Sequence, residues 1–295
     1  MLDIFRHKNN QKGFTLTELL VVIAVIGLLS SIIFAVTRGA GEQGRIAKGH
    51  YFSQHLQNSL GSFLVGRWSF DEGTGSTAND TSGWENNGTL VGSPVWRCAS
   101  IDSNYTPSNQ GCSLEFNGST QYVNAGNATS LQNLRQITYE AWVYNNGSSN
   151  IQTIIDKRYF VLSINTSNGL RGVVESTGGG VYFSSSLSIP LQSWSHVVMA
   201  YDDNGDRKIY LFVNNASATS AAVTGTLYSD SGFNQWIGRA NYLDRWFNGL
   251  IDEVRIYNTT LTSAQIEAQY YAGLQRLLAK NLISETEYQQ RLVKT

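Results

Sequence analysis

The sequence predicts an all-β antiparallel sandwich, preceded by a long N-terminal helix and followed by short C-terminal helices. Three observations predict it. Short alternating apolar runs between Gly, Asn, Asp and Ser turns fill the middle of the chain, one unbroken apolar run lies near the N-terminus, and two helix-capping signals lie near the C-terminus. The composition agrees: 28 glycines against 3 prolines, with 12% aromatic and only 15% charged residues, suit a sheet protein with many tight turns. A chain of 295 residues can hold one large all-β domain, or two ordinary ones, beside an anchor. The formal net charge is −1 and no basic run follows the first dozen residues, which argues against a nucleic-acid partner.

The N-terminal element begins with a short polar stretch carrying Arg6, Lys8 and Lys12, followed by an apolar run from Leu19 to Val36. An ordinary secretory signal is cut after its apolar region. Here the distinctive junction comes before it, at Lys12, Gly13 and Phe14. The string Gly13-Phe14-Thr15-Leu16-Thr17-Glu18-Leu19-Leu20 resembles the type III signal of type IV prepilins and pseudopilins. That resemblance implies cleavage after Gly13 by a prepilin peptidase, N-methylation of Phe14 and retention of the apolar segment. From Phe14 to Val36 a helix would span roughly 35 Å, enough to cross a bilayer, and the basic leader places its N-terminus on the cytoplasmic side. A carboxylate inside such a helix costs about 2.5 to 3.5 kcal/mol, so Glu18 needs a partner. In the pilin family that partner is the new terminal amine of a neighbouring subunit. The proline that many major pilins carry in the second half of this segment is absent. Beyond Val36, Ile46, Phe52, Leu56, Leu60 and Phe63 recur at or near helical spacing, so the helix is expected to continue to about residue 62.

The sandwich comes next. Ile137–Val143 and Lys208–Val213 alternate, and Thr153–Ile155, Phe160–Ile164, Leu170–Val174, Ser195–Tyr201 and Leu250–Tyr257 read as further strands. Asn-Gly pairs at Asn117-Gly118, Asn146-Gly147, Asn168-Gly169 and Asn204-Gly205 are hairpin signals. Cys98 and Cys112 are the only cysteines; an even count behind an export signal favours one disulfide. The tail begins with two capping boxes, Thr262-Ser-Ala-Gln265 and Ser284-Glu-Thr-Glu287, and reads as an end-cap for the sandwich. The chain therefore divides into a leader (1–13), a transmembrane and pilin-like helix (14–62), a sandwich domain (66–260) and a helical tail (261–295).

Within the sandwich, Trp68-Ser-Phe70-Asp-Glu-Gly73, Asn87-Gly88-Thr-Leu90, Leu114-Glu-Phe116-Asn-Gly118, Thr138-Tyr-Glu-Ala-Trp142-Val143, Trp194-Ser-His196-Val197 and Phe247-Asn-Gly249-Leu-Ile-Asp252-Glu-Val254-Arg-Ile256-Tyr257 resemble laminin-G-like domains of the concanavalin A-like jelly-roll superfamily. The resemblance covers roughly residues 66 to 272. It implies a structural Ca²⁺ held by Asp252, with oxygen ligands around Asp71 and Asn87. Trp68, Phe70, Trp142, Trp194, Trp236 and Trp246 read as core or edge packing, and His196 as a satisfied core histidine. Trp84 and Tyr242, in polar turn-like contexts, are the ligand-facing candidates.

Glycosidases share this fold, and a retaining one needs two carboxylates about 5 to 5.5 Å apart. Glu115, Glu140 and Glu175 stand alone in their strands, while Asp202-Asp203 and Asp252-Glu253 are adjacent and so point to opposite faces. No catalytic activity is expected. The function expected is that of a minor pilin or pseudopilin. It would be anchored in the cytoplasmic membrane by its N-terminal helix and would display the jelly roll outside that membrane for recognition of a polysaccharide or surface protein. The expected partners are the prepilin peptidase and other pilin-like subunits. The alternatives are a purely structural secretion-pseudopilus subunit and, third, a glycan-active enzyme.

Overall fold

The computed structural model describes residues 60–98, 111–279 and 284–293, with residue 20. The helix expected over 14–62 lies almost wholly outside them. No helix among the described residues is long and apolar enough to cross a membrane. A 3-10 turn at Gly61–Phe63 leads into the first strand.

Sixteen strands form two antiparallel sheets of eight among the described residues. The first sheet runs, edge to edge, β14 (Ala216–Ala222), β13 (Lys208–Val213), β12 (Trp194–Asp202), β7 (Gln136–Asn145), β16 (Asn248–Tyr257), β5 (Cys112–Asn117) and β4 (Val95–Cys98). β1 (Leu64–Trp68) pairs with the far half of β16. The second runs β11 (Val181–Ser188), β10 (Gly169–Val174), β9 (Phe160–Ile164), β8 (Gln152–Asp156), β15 (Trp236–Ile237), β6 (Tyr122–Asn124), β3 (Gly88–Val91) and β2 (Thr77–Ala78). Alternation along the strands puts Tyr139, Ala141, Val197, Met199, Ile209 and Leu211 of the first sheet against Ile155, Leu162, Ile164, Leu170 and Ile237 of the second.

Each strand expected from the sequence is present, but the Asn-Gly turns divide into two kinds. Asn168-Gly169 and Asn204-Gly205 close the β9–β10 and β12–β13 hairpins. Asn117-Gly118 and Asn146-Gly147 instead carry the chain from the first sheet to the second. At the latter crossing Asn145, fully buried, accepts from the Gly147 N–H (2.8 Å) and from Gln152 Nε2 (2.8 Å). Gly249 (φ 139°) is required where β16 meets β7, because a Cβ there would lie 2.0 Å from the Tyr144 carbonyl oxygen.

The tail forms two helices, α1 (Ser263–Ala279) and α2 (Glu285–Val293). The first capping box is complete: Gln265 Oε1 accepts from the Thr262 N–H (2.8 Å) and Thr262 Oγ1 from the Gln265 N–H (3.3 Å). In the second, Ser284 Oγ accepts from the Glu287 N–H (3.0 Å). α1 covers the outer face of the first sheet rather than an end of the sandwich. Ile266 and Ala268 pack with Val198, Phe212, Tyr257, Leu261 and Leu60. Beside them the rings of His196, Trp142 and Tyr270 cluster in a triangle, with centroids 5.3 Å apart for Trp142 and His196, 6.1 Å for His196 and Tyr270 and 6.2 Å for Trp142 and Tyr270.

Candidate functional site

The outer face of the second sheet carries the densest set of exposed aromatic side chains. Register places Trp236, Asp156, Val161, Val173 and Tyr182 in one row across β15, β8, β9, β10 and β11. These alternate with inward residues and so point away from the core. A hairpin-like strap between β15 and β16, residues 239–246, folds over this row. It is closed by an Arg239–Trp246 bridge and by the Ala240 N–H donating to the Arg245 carbonyl (3.1 Å). Its root is a stack in which the Arg239 guanidinium lies 4.1 Å from the Trp246 ring centroid and 5.0 Å from that of Trp236. Asn241 Nδ2 fastens it to the sheet, donating to Asp156 Oδ1 at 2.7 Å. Asp156 is buried, and burial pushes its carboxyl up to about 6 against the hydrogen bonds from Asn241 and from the Arg158 N–H.

The strap delivers Tyr242 to Glu175, at the end of β10. Glu175 Oε1 accepts from the hydroxyls of Tyr182 (2.7 Å) and Tyr242 (3.2 Å), and Arg158 Nη1 lies 3.5 Å from Oε2. Arg158, with φ 63° in the β8–β9 turn, sets its guanidinium 3.8 Å from the Tyr242 ring centroid and 4.9 Å from that of Tyr159. Tyr182 is 53% exposed and Tyr242 is 42% exposed, so two aromatic surfaces face solvent on either side of one anchored carboxylate. Burial, then the Glu175 hydrogen bond, pushes the Tyr182 phenol up to about 12, so it stays a donor at neutral pH. Tyr228, also exposed, extends the surface through Tyr159, 5.0 Å between centroids.

Of the two ligand-facing residues expected from sequence, Tyr242 belongs to this platform and Trp84 does not. Trp84 is 53% exposed at the tip of the β2–β3 loop, with no contact joining it to Tyr242 among the described residues. That loop is built on Asp80. Its Oδ1 accepts from the N–H groups of Arg67 and Ser82, and its Oδ2 from the Asn86 N–H and the Ser82 hydroxyl. Tyr182, Glu175 and Arg158 were missed. The outward parity of Tyr182 in an alternating edge strand was the one local signal.

The residues expected to hold Ca²⁺ separate. Asp252 is fully buried, and its carboxyl is pushed well above the usual range by burial, then by the charges of Glu253 and Asp71. Asp71 is raised by burial, against a hydrogen bond from the Cys112 N–H (3.1 Å). A buried carboxylate, Asp252, repelled by the neighbouring exposed Asp71, suits a hard cation. Asn87, in contrast, uses its Oδ1 to accept from the Asp80 N–H (2.8 Å). No group of three or more His, Cys, Asp or Glu side chains stands in metal-holding geometry among the described residues. The register slips between Asp252 and Arg255, and Glu253 adopts φ 46°, so regular alternation fails where the two acids adjoin. Glu253 pairs with Arg255 (2.6 Å), and Arg255 with Glu140 (2.8 Å), which also meets His196 Nε2 (2.9 Å). Burial would raise the Glu140 carboxyl, but Arg255 and His196 outweigh it and hold it below its ordinary value.

Cys98 and Cys112 form a disulfide across the paired ends of β4 and β5. The processing residues Gly13 and Phe14 and the assembly residue Glu18 lie outside the described residues.

Comparison with known proteins bears on both ends of the chain. Residues 8–34 match the prokaryotic N-terminal methylation motif, the type IV pilin signal. Among solved structures, the binding domain of botulinum neurotoxin serotype G is 13% identical with a TM-score of 0.54, covering 72% of this chain and 51% of that one. The binding domain of Paraclostridial Mosquitocidal Protein 1 is 11% identical with a TM-score of 0.53, covering 73% and 53%. This chain thus spans about half the length of those toxin domains. Domain 4 of an extracellular arabinanase from Geobacillus stearothermophilus, solved with arabinotriose, is 20% identical with a TM-score of 0.49, covering 70% and 97%. The toxin likenesses show a shared fold. Residues 117–267, half of the chain, match the concanavalin A-like lectin/glucanases superfamily, and to that superfamily the chain belongs.

Proposed function

We propose that this chain is a minor pilin or pseudopilin, cut after Gly13, methylated at Phe14 and anchored in the cytoplasmic membrane by the following segment. It carries its jelly roll outside that membrane as a binding module for a saccharide or another surface molecule, and it acts by binding rather than catalysis. The observation that carries this reading is the pairing, in one chain, of a pilin methylation motif with a lectin-type sandwich. Exposed Tyr182 and Tyr242 flanking Glu175 give that sandwich a surface on which a sugar ring can stack while its hydroxyls meet a fixed acceptor. The full chain in detergent, screened on a glycan array, is expected to bind, and Tyr182→Ala with Tyr242→Ala to lose that binding. Signals that depend on Trp84 instead would move the site to the β2–β3 loop. An array without signal, together with co-purification of other pilin-like subunits, would favour a purely structural subunit. That rival has Phe63 in its support, a large side chain 43% exposed where the sandwich meets the preceding segment.

A structural Ca²⁺ between Asp71 and Asp252 is part of the proposal. Bound there, it would neutralise the buried Asp252 and the exposed Asp71, and backbone carbonyls or water would complete its shell.

A further inference from the structure

We propose that Lys157 and Asn127 become joined by an intramolecular amide bond, formed between Lys157 Nζ and the side-chain carbonyl carbon of Asn127 with release of ammonia. The bond is independent of the binding reading above and concerns how the second sheet is held together.

Lys157 directly follows β8, and its N–H donates to the Phe160 carbonyl (2.9 Å) across the β8–β9 turn. The residue is only 1% exposed. Its Nζ donates to Asn127 Oδ1 at 2.6 Å and to the Phe233 carbonyl at 2.9 Å, and it forms no ion pair among the described residues. The charge of Asp230 acts on the amine, but burial is the larger influence and brings it down to about 8. A buried lysine of this kind carries a far larger neutral, nucleophilic fraction at neutral pH than an exposed one.

Asn127 is fixed as firmly. Its Nδ2 donates to the Ser231 carbonyl, and its backbone carbonyl accepts from Gln132 Nε2 (2.8 Å). Ser231 and Phe233 belong to one turn, closed by the Phe233 N–H donating to the Asp230 carbonyl (3.0 Å), so a single turn grips both reacting groups. With a C=O bond of about 1.2 Å, the 2.6 Å hydrogen bond sets Nζ within about 3.8 Å of Asn127 Cγ. Reacting atoms held ~3–3.5 Å apart are already in near-attack geometry. In the reaction the neutral amine attacks Cγ, the new C–N bond forms and the Cγ–Nδ2 bond breaks. One Nζ proton leaves with Nδ2 as ammonia, and neither an oxidant nor an activating group is consumed.

The bond would lie where the second sheet has its shortest ladder. β15 pairs with β8 on one side and with β6 on the other through Trp236 and Ile237 alone. Lys157 comes just after β8 and Asn127 just after β6, so the link would staple the two strands that flank β15.

Peptide mapping and intact mass of the full chain, purified in detergent and then denatured, test the proposal. After reduction, trypsin should release a branched peptide joining the segments that contain Asn127 and Lys157, with no cut after Lys157. The wild type should be lighter by one ammonia than Asn127→Ala, once the substitution itself is allowed for. Closing a loop of about 30 residues should also make Asn127→Ala melt roughly 7–15 °C lower. Linear peptides carrying unmodified Asn127 and Lys157 in the wild type would overturn the proposal. A mass deficit of one ammonia with no branched peptide would overturn it too, since an asparagine can lose ammonia to its own backbone. If Asn127→Ala does not fold, the wild-type peptide map decides alone.

Discussion

Replacing both cysteines, Cys98→Ala with Cys112→Ala, tests how the edge of the first sheet is held. The bond closes a loop with a sequence separation of 14 residues, and its two ends are paired in register at the ends of β4 and β5. β4 has one neighbour only, so the bond fastens an edge strand at the end where the chain leaves it. Loop-closure entropy for about 15 residues contributes about 3 kcal/mol. For a unit of this size each kcal/mol moves the midpoint by roughly 2–4 °C, so the double variant should melt roughly 6–12 °C lower. Unfolding of the compact unit Phe52–Thr295 by heat and by urea reads the effect, with thiol labelling of the denatured wild type giving no modification. An unchanged midpoint would refute the reasoning, since it would mean that the unfolded chain is already as restricted without the bond. Reactive thiols in the wild type would refute its premise.

Three further outcomes follow from particular contacts. Gly273→Ala should destabilise the protein by about 1–3 kcal/mol despite better helix propensity, because the new Cβ would lie 2.2 Å from Trp142 Cζ2; a higher urea midpoint would deny that α1 is seated on the first sheet as described. Asp252 has a raised carboxyl in the folded state, so the protonated form favours folding at low pH, and that contribution is lost as pH rises through the folded value. Without divalent cations, Asp252→Asn should therefore raise stability at pH 7 and flatten the decline, and in the wild type Ca²⁺ should do likewise. A wild type indifferent to Ca²⁺ would remove the metal from the proposal. Glu18→Ala should insert in the membrane but fail to enter filaments, read by shearing and immunoblotting; normal incorporation would leave Glu18 without an assembly role.

The sequence made the strands legible because alternation and turn chemistry are local. Seven runs chosen on periodicity all lie within observed strands, and the Thr262 capping box closes as expected. What it could not show was which strands a turn connects. Asn117-Gly118 and Asn146-Gly147 reverse the chain just as Asn168-Gly169 does, but the partner of the next strand is set by long-range packing. The site was less legible for the same reason. Tyr242 stood out by its polar surroundings, but Glu175 lies 67 residues before it, and nothing local links the two. The alternation that should have separated Asp252 from Glu253 fails because a bulge interrupts β16 there, and a bulge is dictated by neighbouring strands.

Intact mass and N-terminal fragmentation of the membrane-extracted protein test the central claim most directly. A pilin-class subunit should begin at Phe14 with a methylated amine, and Gly13→Leu should retain the leader. A wild-type protein assembled at the cell surface that still carries residues 1–13, or that begins after the apolar segment, would contradict the account.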